Sequence, residues 1–203
     1  RLPGANHNHI VHPARPQIVL VFAASSLHVN AHDLQFRARH RMAISTGEAL
    51  HAATLIKMGD NGPEEVALAD HIAGRKVVIF AVPGAFTPTC HSAHVPSFIR
   101  TKDAFTAKGV DEIICVSDNG TFVRKSWGEA TGATEAGITM LGDSGSAFTK
   151  SIGMDFDAPP AGLLGRSKRY AMLVDDGKVT MLHAEENPGV CEVSGGEALL
   201  AAL

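Results

Sequence analysis

Cysteine is scarce in this chain, with three in 203 residues, at 90, 115 and 191. Three are too few for the disulfide framework of a small secreted domain, and an odd number leaves at least one thiol free, as suits a reducing compartment. No two of them form Cys-x-x-Cys, so a paired-thiol disulfide reductase is excluded. Positive charge is not in excess either: 18 Lys and Arg stand against 21 Asp and Glu, for a net charge of −3. Without a basic field to collect phosphates, nucleic acid is not an expected partner. No apolar run approaches the roughly 18 residues that would span a bilayer, so no membrane span is expected. Aromatic residues make up only 5%, which makes the position of each one informative.

The length and a 45% hydrophobic content allow one domain with a sizeable core, plus a tail. Residues 1–41 differ in kind from the rest. They hold six of the 11 histidines and five arginines but a single acidic residue, Asp33. This leader reads as an organelle transit peptide, as translated upstream sequence or as an expression remnant, with Met42 a natural start. Cytoplasmic localisation is expected, or a mitochondrial or other organellar one if the leader directs import. His7-x-His9 and the His28, His32 pair lack a cysteine or carboxylate to complete a metal site, so no metal is expected there.

The chemistry concentrates between Lys76 and Phe98. Lys76 to Val82 reads as a buried strand, stopped by Pro83-Gly84, and a turn with further proline then leads into a helix. Cys90 therefore falls in the first helical turn, where unpaired N–H groups and the positive end of the helix dipole favour an anion. The thiolate is the attacking form of cysteine, so this junction suits nucleophilic sulfur chemistry better than it suits a core thiol. Thr87 can present a hydroxyl to the same sulfur, while Pro83, Phe86 and Pro88 supply stiff apolar walls.

Coarse patterning places the rest. Thr54 to Met58 is a first strand, Val95 to Lys108 an amphipathic helix, and Asp111 to Ser117 the next strand. Phe122 to Ala130 is a helix whose Phe122, Val123 and Trp127 share a face. Ile138 to Leu141 is a strand and Ser146 to Ile152 a short helix. Asp175-Asp176-Gly177 between two apolar runs, Tyr170 to Val174 and Lys178 to Leu182, predicts a hairpin. Ser194 is expected to cap a last helix, Glu197 to Leu203, with Leu199, Leu200 and Leu203 buried. Phe80, Phe86, Phe98, Phe122 and Trp127 are expected to form one apolar wall. The pattern argues for an α/β fold with a mixed central sheet flanked by helices.

The segment Pro83-Gly84-Ala85-Phe86-Thr87-Pro88-Thr89-Cys90 resembles the active-site motif of the peroxiredoxins, in the type II, peroxiredoxin-5-like branch. Similarity continues through Ile113-Ile114-Cys115-Val116-Ser117, Trp127-Gly128 and Lys168-Arg169-Tyr170, over roughly residues 42–203, about four-fifths of the chain. The resemblance implies a thioredoxin-like fold and a thiol-specific peroxidase acting on hydrogen peroxide and organic hydroperoxides. Cys90 would be the peroxidatic nucleophile, passing through a sulfenic acid. Thr87 would assist, and Arg169 would supply the cation, with Arg166 as the rival within reach. His94, four residues after Cys90, matches a family histidine and either orients the site or merely packs. No metal, flavin or haem is implied.

Electrons would come from glutaredoxin with glutathione or from thioredoxin, and a homodimer is allowed for. Cys191 lies near the place of the family's resolving cysteine, but in a loop about two residues shorter, so it resolves Cys90 or is a bystander. Cys115, among Ile113, Ile114 and Val116, reads as an inert buried thiol. Ser117-Asp118-Asn119-Gly120 departs from the family pattern and is expected to alter only a surface loop. Gly142-Asp143-Ser144-Gly145-Ser146 echoes a serine-protease nucleophile but reads as a turn and cap. Two rival functions remain: a peroxide-sensing relay or holdase with little turnover, and a zinc module built on Cys90, His91, His94 and Cys115.

Overall fold

A computed structural model describes residues 42–203 of the chain; the leader and its histidine pairs lie outside the described residues. The central run Lys76–Ala81 forms strand β3 because its side chains are apolar on both sides. Val77, Ile79 and Ala81 enter one core, while Val78, Phe80 and Val82 enter another. A strand buried on both faces belongs at the middle of a sheet. It pairs in parallel with β4 (Glu112–Ser117) and antiparallel with β8 (Tyr170–Asp175).

The remaining strands are β1 (Thr54–Gly59), β2 (Gly62–Ala67), β5 (Thr139–Gly142), β6 (Asp155–Ala158), β7 (Leu163–Ser167) and β9 (Lys178–Ala184). Seven form one mixed sheet in the order β2-β1-β5-β4-β3-β8-β9, and β6 with β7 form a separate ribbon. The mixed central sheet flanked by helices is the one the sequence predicts. The β8–β9 turn places Asp176 at φ 46° and Gly177 at φ 76°, the two left-handed residues that a tight hairpin with right-handed twist requires.

On one face lie α1 (Leu68–Ile72) and α4 (Ala147–Ser151), contributing Leu68, Ile72 and Phe148 to the core. On the other lie α2 (Val95–Ala107), entered through a π-helical turn at Cys90–His94, α3 (Thr121–Thr131) and α5 (Gly196–Ala201). Phe98, Phe105, Trp127 and Leu199 fill this second core. Helix α5 approaches α2 so closely that a Cβ on Gly196 would lie 2.5 Å from Thr101 Oγ1 and 2.7 Å from the Ser97 carbonyl. Only glycine fits there, and its N–H donates to Ser97 Oγ at 2.8 Å.

Several expectations are corrected. The α3 face turned inward carries Thr121, Arg124, Trp127 and Gly128, whereas Phe122 is 73% exposed and Val123 is exposed too. Apolar spacing alone misassigns this face because Arg124, a cation, is the residue that is buried. The single aromatic wall is accordingly smaller: Phe80 stacks on Phe98 at 4.1 Å between ring centroids, while Phe86 and Phe122 face outward. Ser194 does not cap α5, which starts after Gly195; its N–H and hydroxyl are both committed to Glu185. Leu199 is buried, Leu200 is half-buried and Leu203 is exposed at the frayed end of the helix. The Asp143 carboxylate accepts the Phe148 and Thr149 N–H groups at the start of α4, as the turn-and-cap reading of that segment predicts. Among the described residues no helix is long and apolar enough to cross a membrane.

Candidate active site

Beyond β3 the chain turns through Pro83 to Thr87, with Phe86 at φ 60°. A bulky residue in this left-handed region is strained by roughly 1–3 kcal/mol and needs support. The support comes from the loop after β4 and from β7. Ala85 N–H donates to Asn119 Oδ1 at 2.7 Å, and Arg166 Nη1 reaches Asp118 Oδ1 at 3.1 Å and the Pro83 carbonyl at 3.5 Å. The Asp118-Asn119 segment is therefore a brace for the Cys90 turn and not merely a surface loop, which corrects the expectation for it. Burial pushes the Asp118 carboxyl up, against the pull of Arg166. This pair turns Arg166 Nη1 toward Asp118.

Thr87 Oγ1 donates to the Gly84 carbonyl at 2.8 Å and its carbonyl accepts His91 N–H at 2.9 Å. The hydroxyl proton is thus spent on the turn, and the oxygen lone pairs remain available as acceptors. Cys90 is completely buried. Arg169, just before β8, points back across the sheet end, and its Nη2 donates to Cys90 Sγ at 3.3 Å. The same guanidinium donates from Nη1 to His94 Nδ1 at 3.1 Å and from Nε and Nη2 to the Pro188 carbonyl at 3.2 and 2.9 Å.

His94 is buried between fixed partners. Guanidinium can only donate and a carbonyl can only accept, so Nδ1 bears the lone pair and Nε2–H donates to the Ser194 carbonyl at 2.9 Å. Burial, with Arg169 beside it, pushes its pKa down to about 3. The ring is a neutral spacer that fixes Arg169 without adding charge. Behind it, Glu185 Oε1 accepts the N–H groups of Glu192, Val193 and Ser194 and the Ser194 hydroxyl. Burial alone would raise this carboxyl, but the four donors hold it below the usual carboxylate range.

Phe86 lies at the rim, half exposed, stacked over His91 at 6.2 Å, and His91 Nδ1 accepts the Trp127 indole N–H at 3.2 Å. Cys191 is half-buried on the loop between β9 and α5, and burial outweighs the pull of Arg169 to push its thiol up. Cys115 is completely buried in β4 and its thiol is likewise pushed up by burial, with Arg124 only partly offsetting. The rival zinc arrangement is not assembled: among the described residues no three His, Cys, Asp or Glu side chains converge to hold a metal.

Thus Cys90, Arg169 and His94 meet in one network, Thr87 and Pro83 shape the turn beside it, and Arg166 stands behind as a brace. Sequence reasoning missed Glu185, Ser194, Pro188 and Thr89. Thr89 stood in the motif and Ser194 as a cap without these roles, and the turn chemistry of Asn187-Pro188-Gly189 says where the chain bends and not what it bends over.

A buried thiol held by a guanidinium at the end of a strand defines a site for thiol-based redox chemistry. Comparison with known proteins makes that class specific. A family model described as Redoxin matches residues 45–200. Peroxiredoxin-2E-2, chloroplastic, of Oryza sativa subsp. japonica is 44% identical over 164 residues, 79% of this chain and 72% of that protein. Peroxiredoxin-2F, mitochondrial, of Arabidopsis thaliana is 44% identical over 136 residues, 67% of each chain. A crystal structure of reduced Prx3 in complex with hydrogen peroxide from Vibrio vulnificus superposes with a TM-score of 0.73 at 48% identity, covering 78% of this chain and 98% of that one. The chain belongs to the redoxin family and, within it, to the peroxiredoxins of type II, with their thioredoxin-like fold. Its relatives support a thiol peroxidase function.

Proposed function

We propose that residues 42–203 form a peroxidase domain in which Cys90 attacks the terminal oxygen of hydrogen peroxide or an organic hydroperoxide. The observation that carries this reading is the Arg169 Nη2 to Cys90 Sγ hydrogen bond of 3.3 Å in a buried site. In the first step a sulfur–oxygen bond forms and the oxygen–oxygen bond breaks; the leaving oxygen takes a proton to become water or an alcohol, and Cys90 becomes a sulfenic acid. Arg169 stabilises both the thiolate and the developing charge on the leaving oxygen. Thr87, its own proton given to Gly84, accepts from the peroxide O–H and aligns it. The exposed Phe86 offers an apolar rim to the organic part of larger hydroperoxides.

In the second step a thiol displaces hydroxide from the sulfenic sulfur as water, giving a disulfide that a further thiol reduces. The first thiol is either Cys191 or glutathione, and the donor is thioredoxin or glutaredoxin accordingly. Residues 1–41 act as a leader outside this domain; the chloroplastic and mitochondrial names of two relatives favour organelle import, read by fusing the leader to a fluorescent protein. The outward-facing Phe122 and Val123 suit a homodimer, measured by sedimentation.

Intact mass after one equivalent of hydrogen peroxide, with dimedone as a sulfenic-acid trap, tests the chemistry. The expected results are a dimedone adduct on Cys90 in Cys191→Ser and none in Cys90→Ser. Loss of two hydrogens in the wild type assigns Cys191 as the resolving thiol, whereas an adduct in the wild type assigns a one-cysteine cycle. Peroxide consumption unchanged in Cys90→Ser overturns the reading.

A further inference from the structure

The turn at residues 187–190 is fastened at both sides of the reactive sulfur. Its Pro188 carbonyl accepts from Arg169, the residue that donates to Cys90. Its Gly189 carbonyl accepts from Thr89 Oγ1 at 2.7 Å, and Thr89 immediately precedes Cys90 in the chain. Within the turn, Asn187 Oδ1 accepts Gly189 N–H at 2.8 Å and the Asn187 carbonyl accepts Val190 N–H at 3.2 Å, so the turn is braced internally and can move as a unit. Its downstream end is pinned, because Glu185 holds the N–H groups of Glu192, Val193 and Ser194.

These contacts differ in what they can be released by. The Arg169 donors are shared with the sulfur and are needed for its chemistry, and the Glu185 anchor lies beyond the turn. Thr89 makes the contact that involves neither the cation nor the anchor, so it can be removed by substitution without touching either, although lifting the whole turn also breaks the Arg169 to Pro188 bonds. Cys90 is fully buried, and the turn is bonded both to the residue before it and to the arginine that donates to it, so lifting the turn loosens the packing on this side of the sulfur.

We propose that Thr89 is a positioning residue whose hydroxyl latches the 187–190 turn over Cys90 and so sets how often bulky thiols and thiol reagents reach the sulfur. Peroxide, two heavy atoms at its reactive end, needs a smaller opening than the reductant that must follow, so the latch bears more heavily on the reductant. This consequence for turnover rests on the peroxidase reading, but the latch itself does not.

The test compares wild type, Thr89→Val and Thr89→Ser in their reduced forms. Each is alkylated by iodoacetamide, which is small, and by fluorescein maleimide, which is bulky, with modification of Cys90 followed by peptide mass. Loss of one hydrogen bond of ordinary net strength shifts an opening equilibrium roughly two- to tenfold. Thr89→Val is therefore expected to raise the maleimide rate by about that factor relative to iodoacetamide, with the pH midpoint of iodoacetamide reaction unchanged. Thr89→Ser, which keeps the hydroxyl, is expected to match the wild type. An unchanged ratio of the two rates, a shifted midpoint, or a Thr89→Ser that behaves like Thr89→Val overturns the latch. A parallel arm forms the Cys90 sulfenic acid with hydrogen peroxide and follows its reduction by glutathione. If no sulfenic acid forms, the peroxidase reading fails while the alkylation rates still decide the latch. If it forms, faster reduction in Thr89→Val supports the proposal and equal rates count against it.

Discussion

Among the described residues two arginines are buried, and each donates to the sulfur of a buried cysteine. Arg169 Nη2 lies 3.3 Å from Cys90 Sγ, and Arg124 Nη1 lies 3.6 Å from Cys115 Sγ. Among the described residues neither guanidinium has a carboxylate within salt-bridge distance. What separates the pairs is their surroundings. Cys115 sits in the middle of β4, flanked by β3 and β5. Its arginine donates mainly to backbone and hydroxyl, the Cys115 carbonyl and Ser117 Oγ at 3.1 Å, and lies 5.5 Å from the centre of the Trp127 ring. Cys90 sits where a strand has ended, below a loop that can lift, and its arginine is oriented by a neutral histidine. The two pairs share a thiol and a cation and differ in their place in the fold and in how the cation is oriented.

The largest separation should come from the arginines. Arg169→Met is expected to slow peroxide reduction by about 10²- to 10³-fold, the usual loss of a charge-stabilising donor, measured as the second-order rate with hydrogen peroxide. Arg124→Ala should leave that rate per folded molecule unchanged and instead cost about 2–4 kcal/mol in urea unfolding, from the cavity and the deserted acceptors. If the two variants show the same pattern, the contrast is wrong.

Native-state alkylation is the next way to sharpen it. Cys115 should react at least about a hundredfold more slowly than Cys90, because burial in a ladder disfavours the thiolate and hides the sulfur, and should catch up only on unfolding. Acid stability separates the pairs again, since His94 belongs to one of them. Its pKa is lowered in the fold, so as pH falls the unfolded chain takes up the proton first. Its contribution to stability is complete above about pH 6.5 and is lost between there and about pH 3, at up to about 1.4 kcal/mol per pH unit. Replacing His94 with Gln should flatten that slope in unfolding measured across this range. The smallest effect belongs to Cys115→Ala, about 1 kcal/mol of stability with activity retained.

Elements with local signatures were legible in the sequence. The Lys76 to Val82 run, the Asp176-Gly177 hairpin, and the proline turn that delivers Cys90 to a helix all follow from neighbours in the chain. Less visible were the β6–β7 ribbon, whose strands have short and mixed patterns, and the β2 strand, whose Glu64 and Glu65 are exposed. The inward face of α3 could not be read, because Arg124 is buried and satisfied by the carbonyl and hydroxyl of the preceding strand β4, acceptors that leave no mark in the apolar spacing of the helix.

By itself the sequence determined the candidate cysteine's place at a strand–helix junction, the mixed sheet and the absence of any paired-thiol motif, since each depends on residue type and spacing over a few positions. Only the tertiary structure put Arg169 on the Cys90 sulfur and Arg166 on Asp118, gave His94 its tautomer, turned Asp118 and Asn119 into braces, and laid the 187–190 turn across Thr89 and Arg169. Those outcomes depend on contacts between segments up to 100 residues apart, and hydrogen bonds over such separations leave no periodicity in the chain to read.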